Sequence, residues 1–180
     1  DGTFRPPQPV PLPAQVPPGY TGAEPLPQAV LSAAVGDLDA DGKLDLVVGG
    51  QTAHTVLTGS GYYGNYYSTY YTGYVNVLLG NGDGTFTAGQ TTPAGGSPYA
   101  VVLGDLTGDG KPDVATEHDG EFLVAVRPGN GDGTLGGPVG PPPTGGRVRL
   151  LPGVPASDFD NDGKPDLLAR DNSGQLVVLK

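Results

Sequence analysis

The chain has 180 residues, 32 of them Gly and 20 Pro, and no Cys. It has room for one core or several small repeated units, and none for disulfide or thiol chemistry. A net charge of −10, from 19 acidic against nine basic side chains, excludes a surface for nucleic acid or anionic lipid, where cations must neutralise phosphates. It points instead to bound cations: three divalent ions would take −10 to about −4 and relieve self-repulsion.

No stretch approaches the ~18 apolar residues of a membrane helix, and no window free of Gly and Pro keeps a helical apolar period. The chain reads as all-β. Asp1-Gly2-Thr3-Phe4 is part of a phrase that returns in full as residues 80–86 (GNGDGTF) and 129–135 (GNGDGTL). Asn-Gly and Asp-Gly supply residues that tolerate positive φ, so each phrase predicts a hairpin turn. Residues 1–4 are therefore expected to be an outer strand that belongs to a preceding or neighbouring unit. Residues 5–28 hold nine prolines and read as an extended linker or surface cover, because proline cannot donate to a sheet ladder.

An apolar strand over 29–35 leads into the acidic loop Asp37–Asp45 (DLDADGKLD), and 44–49 leaves it. Residues 58–74 interrupt the pattern with TGSGYYGNYYSTYYTGY, 75–79 resumes it, and the first turn closes it. The second unit enters over 99–103, passes the loop Asp105–Asp113 (DLTGDGKPD), leaves over 114–116 and adds a strand over 122–126. The third has Pro152 and Pro155 in its entering segment, which predicts a short or irregular strand. Its loop is Asp158–Asp166 (DFDNDGKPD), followed by strands over 167–169 and 176–179. Units of about this size with about four short strands each are the signature of propeller blades. The divisions expected are 29–90 for the first blade with an insertion at 58–74, 91–140 for the second, and 141–180 for the third, which lacks its last strand.

Carboxylates at loop positions 1, 3, 5 and 9, with Gly at 6, form an oxygen cage suited to calcium, which takes six to eight hard oxygens at roughly 2.3–2.6 Å. The candidates are Asp37, Asp39, Asp41 and Asp45; Asp105, Asp109 and Asp113 with Thr107; and Asp158, Asp160, Asp162 and Asp166. By analogy with other calcium loops, Lys43, Lys111 and Lys164 offer backbone carbonyls with their side chains in water, and Leu44, Pro112 and Pro165 point inward. The first six positions fit an EF-hand, but position 12 is Val48, Thr116 or Ala169 in place of Glu, and strands flank the loop. About three Ca²⁺ per chain are expected, the Asp105 site weakest because Thr107 replaces a carboxylate. The plain alternative is three acidic turns.

The loop, a short strand and then VNVLLGNGDGTF together resemble the FG-GAP or VCBS repeat. The resemblance covers nearly all the chain except 5–28 and 58–74. It implies four-stranded antiparallel β-propeller blades of the integrin-alpha type, each with a calcium loop joining its first two strands, and the aspartates named above as calcium ligands.

No nucleophile-elbow pattern is present, and His54 and His118 sit at different offsets from their loops, so no enzyme is expected. The tyrosine-rich stretch is singular. Tyr62, Tyr63, Tyr66, Tyr67, Tyr70 and Tyr71 form a candidate contact surface, for self-assembly or for carbohydrate, against the alternative of a flap on its own blade. Three blades do not close a ring. Either the chain is an excerpt of a longer propeller, or copies complete one another by strand donation as a ring or filament. The expectation is a calcium-stabilised extracellular or cell-surface protein with a structural or adhesive role, partnered by copies of itself. The alternatives are a carbohydrate-binding module and a non-catalytic part of a larger secreted protein.

Overall fold

The computed structural model describes residues 6–14, 28–62, 64–118, 124–139 and 148–180. The expected strand at 1–4, residues 15–27 of the proline-rich segment and Tyr63 lie outside the described residues. The fold is all-β, with no helix among the described residues. β1 (Gln28–Gly36), β2 (Asp45–Gly61), β3 (Gly64–Gly80) and β4 (Phe86–Pro93) form one antiparallel sheet in chain order. β5 (Pro98–Gly104), β6 (Asp113–His118) and β7 (Val124–Arg127) form a second; β8 (Val148–Leu150), β9 (Leu167–Asp171) and β10 (Leu176–Leu179) form a third.

The expected three blades are these three sheets. The first has four strands and the others three each. In the second, Gly136-Gly137-Pro138 prevents a ladder after Leu135, so the fourth strand shrinks to single bridges, Gly129↔Leu135 and Val126↔Val139. In the third, the entering strand is three residues long and its ladder breaks at Pro152 and Pro155, resuming only at Ser157↔Asp166. That bridge repeats the pairs Gly36↔Asp45 and Gly104↔Asp113, so all three loops close on the same residue pair.

The sheets stack face to face. Side chains alternate across a strand, so Val101 and Leu103 of β5 reach the first sheet, where Val47, Val75 and Val77 are fully buried. Ala100 and Val102 reach the third, against Val148, Leu150, Leu167 and Ala169. A middle sheet buried on both faces explains why its strands read as continuous apolar runs. Ser32 Oγ on β1 also accepts the Val101 N–H at 3.1 Å, a polar tie between the first two sheets.

Residues 58–74 are not an insertion between strands. They form the outer part of a β2–β3 hairpin of two 17-residue strands, paired from Leu46↔Leu78 out to Gly61↔Gly64. Tyr66 and Tyr70 lie on one face of the ribbon and Tyr67 and Tyr71 on the other, each at least half exposed. His54 stacks on Tyr70 with ring centroids 4.8 Å apart.

Glu117 on β6 is buried between the second and third sheets. Desolvation pushes its carboxyl above the ordinary value, and the Leu150 amide, Arg149 and Arg170 offset this only in part. The folded state therefore holds this proton more tightly than the unfolded chain. Stability falls as pH rises from the ordinary carboxylate value through the raised folded one, and the penalty persists above it. Glu117→Gln is expected to raise the melting temperature at pH 7. Below the ordinary carboxylate value the two proteins should melt together; a Gln variant less stable at pH 7 would contradict this.

Candidate metal centres

All three acidic loops fold on one plan. The position-1 carboxylate accepts the Gly amide at position 6: Asp37 Oδ2 from Gly42 at 2.9 Å, Asp105 Oδ2 from Gly110 at 2.8 Å, Asp158 Oδ2 from Gly163 at 3.0 Å. The position-5 carboxylate accepts the amide of the following lysine in each copy. Position 4 is left-handed in all three, with φ of 61° at Ala40, 76° at Gly108 and 60° at Asn161. Gly and Asn tolerate that conformation and Ala does so at a cost.

The ninth Asp is buried in every copy: Asp45 is 1% exposed, Asp113 0% and Asp166 2%. Its Oδ2 accepts an amide from its own loop, that of Leu38, Thr107 or Phe159. In the first two copies Oδ1 accepts a second amide, from the first Gly of the following turn: Gly80 at 2.8 Å for Asp45, Gly129 at 2.8 Å for Asp113. These glycines cross the chain so closely that a Cβ would sit about 2 Å from the carbonyl oxygen of Leu44 or Pro112. This Asp therefore pins loop to turn as well as facing any ion. Since Asp45 points inward, its neighbour Leu44 points out and is 65% exposed, contrary to the inward position expected.

Two of the three loops gather three carboxylates with one oxygen of each within 4.8 Å of the others: Asp37, Asp39, Asp45 and Asp158, Asp160, Asp166. Oxygens bound at roughly 2.4 Å on opposite sides of one calcium stand about that far apart. Loss of solvent raises the Asp39 carboxyl, as do the charges of Asp41, Asp45 and Asp37, while the Asp41 amide lowers it. Asp37 Oδ1 is buried without a hydrogen-bond partner. The loop at 105–113 forms no such triad, since Thr107 stands at position 3. Asp105 there gives its oxygens to the Asp109 and Gly110 amides.

Asp41 and Asp162 belong to neither triad. Asp41 is held by Lys43 at 2.5 Å, which lowers its carboxyl, and Asp109 lies 3.7 Å from Lys111. In the third loop Lys180 pairs with Asp160 at 2.7 Å and lowers it. The Lys43 and Lys111 side chains are about half exposed and turn back on the loop rather than standing free in water.

The turns have their own logic. Asp83 Oδ1 accepts both the amide and the hydroxyl of Thr85, and Asn81 Nδ2 donates to that hydroxyl oxygen. Asp132, Thr134 and Asn130 repeat this. In both turns the Thr hydrogen bonds lower the carboxyl of the Asp. The phrase Asn-Gly-Asp-Gly-Thr is thus a self-bonded unit.

The second turn also binds across sheets: Gly133 N–H donates to the Leu38 carbonyl at 3.1 Å, and Leu135 is buried beside Leu38. Gln90 of β4 holds the Leu135 backbone at both its amide and its carbonyl. So the turn of one blade seats on the acidic loop of the blade before it.

A family model described as the FG-GAP-like repeat matches over residues 63–116, from β3 and β4 of the first sheet through β5, the second acidic loop and β6. Residues 63–116 are an FG-GAP-like repeat. The FG-GAP-like match thus straddles two sheets and contains both the first complete turn and the loop with Thr107. No curated protein and no solved structure matches the chain.

Proposed function

We propose that the chain is a calcium-stabilised, non-enzymatic structural repeat protein of the extracellular or cell-surface environment, assembling through strands exchanged between copies. The observation that carries the calcium reading is Asp37 Oδ1, a buried carboxylate oxygen with no donor, within a triad whose other ligands are also hard oxygens. Asp37, Asp39 and Asp45 would hold one ion and Asp158, Asp160 and Asp166 another, with the Lys43 and Lys164 carbonyls completing the cage. The Asp105 site, short of a carboxylate at Thr107, is the weakest of three. A bound ion supplies positive charge where carboxylates crowd and locks each loop against its strands. Melting in calcium and in chelator tests this reading, as argued in the Discussion.

Assembly is supported by the outer face of the third sheet. Phe159, Leu176 and Val178 occupy the places that Leu38, Val75 and Val77 hold in the first sheet, yet Phe159 is 46% and Leu176 66% exposed. Such a face invites another sheet, and a head-to-tail contact of that kind propagates as a filament or ring.

The exposed tyrosine ribbon favours a second reading, carbohydrate contact, because aromatic faces stack on sugars at low entropic cost. Tyr66, Tyr67, Tyr70 and Tyr71 are then the contact residues. Changing all four to Ser should abolish any glycan-array signal; an unchanged signal would remove them from that role.

A further inference from the structure

A second interface repeats the first, with one piece absent among the described residues. At the first, Leu135 of the turn 129–135 is 4% exposed and fills a socket formed by Leu38, Val75 and Val77 of the first sheet and Val114 of the second. The strand registers define the corresponding places one blade later. Val77 opposes Val47, the second residue after Asp45; Val126 opposes Ala115, the second after Asp113. Leu106, Val124, Val126 and Leu167 therefore correspond to Leu38, Val75, Val77 and Val114. These four residues, with Leu179, border a hollow of about 210 Å³ between the second and third sheets. The difference shows at loop position 2: Leu38 under Leu135 is 3% exposed, whereas Leu106 is only partly buried.

We propose that this hollow is the seat for an Asp-Gly-Thr-Phe segment, and that its occupant is Asp1–Phe4 of a second copy of the chain. This rests on the assembly reading above and names its contact. Asp-Gly-Thr followed by Phe or Leu occurs three times in the sequence, with Phe at 1–4 and 83–86 and Leu at 132–135. Residues 83–86 and 132–135 close the turns described above, and residues 1–4 carry the remaining copy of the phrase. Gly2 corresponds to Gly133 and Phe4 to Leu135. Gly2 N–H is thereby offered to the Leu106 carbonyl, as Gly133 N–H is to that of Leu38, and the Phe4 ring enters the hollow. Val139 stands where Gln90 stands one blade earlier, so the bidentate side-chain clamp on Leu135 is not reproduced and the contact depends on the apolar plug. Donor and acceptor lie on different parts of the chain, so the contact is heterologous and extends head to tail.

The test is complementation between two full-length variants in saturating calcium, followed by light scattering. Phe4→Ser removes the plug and keeps the socket; Leu106→Glu fills the socket with a charge and keeps the plug. Each alone is expected to be monomeric at concentrations where the parent chain forms larger particles. An equimolar mixture should form dimers and nothing larger. A synthetic Gly-Asn-Gly-Asp-Gly-Thr-Phe peptide should dissociate the parent particles, and its Phe→Ser form should not, a result that does not depend on Leu106→Glu folding. A parent chain monomeric throughout, or Phe4→Ser particles the size of the parent's, overturns the proposal, as does insertion of Phe4 into its own chain. Calcium-dependent melting recorded on the same samples separates failure of this contact from failure of the calcium reading.

Discussion

Asp113→Ala should lower the melting temperature by about 10 °C, and by nearly the same amount in calcium as in chelator. Asp113 is fully buried, and its two oxygens accept the amides of Thr107 and Gly129. Truncation strands both donors in the interior, at about 1–3 kcal/mol each. For a domain of this size each kcal/mol moves the midpoint by roughly 2–4 °C. The cavity left beside the close crossing of Gly129 over Pro112 adds to the loss. The second loop is the weakest of the three proposed sites and forms no carboxylate triad, so this loss is chiefly one of pinning and changes little with calcium. Asp45→Ala removes the same two bonds and also a triad member, so its deficit should widen when calcium is added. Equal deficits for the two variants in calcium would show that Asp45 serves as a pin alone.

The contrast between these two aspartates marks where the sequence stops being legible. The loops were readable because three copies keep the same offsets, and the strands because each loop is followed by an apolar run. That the second loop gathers no triad was readable from Thr107 alone. The ninth Asp read only as a ligand, because its second role depends on a distant glycine. Gly80 lies 35 residues from Asp45 and Gly129 only 16 from Asp113, so no fixed spacing announces the bond. The left-handed position 4 had a signal, Gly108 and Asn161 in two copies, which Ala40 concealed. The tyrosine segment read as an interruption because its tyrosines come in adjacent pairs. A strand exposed on both faces has no alternation of polar and apolar residues to betray it. The seating of Gly133 and Leu135 on Leu38 joins residues about a hundred positions apart and is visible only in three dimensions.

The largest effect should come from the ion itself. The carboxylates of the first triad crowd one another around Asp37 Oδ1, which has no hydrogen-bond partner, and in the second, among the described residues, only Lys180 on Asp160 offsets the like charge. An ion that binds the folded chain and not the unfolded one adds about 2.7 kcal/mol per site at a hundred times its dissociation constant. Two sites together then raise the midpoint by roughly 10–20 °C. The double variant Asp37→Asn, Asp158→Asn keeps a side chain of the same size and an acceptor for Gly42 and Gly163, and should lose most of that gain. The most direct measurement is therefore the melting temperature of the parent chain in chelator and in saturating calcium. The account predicts an increase of roughly 10–20 °C that the double variant does not show; equal melting temperatures in the two solutions would contradict it.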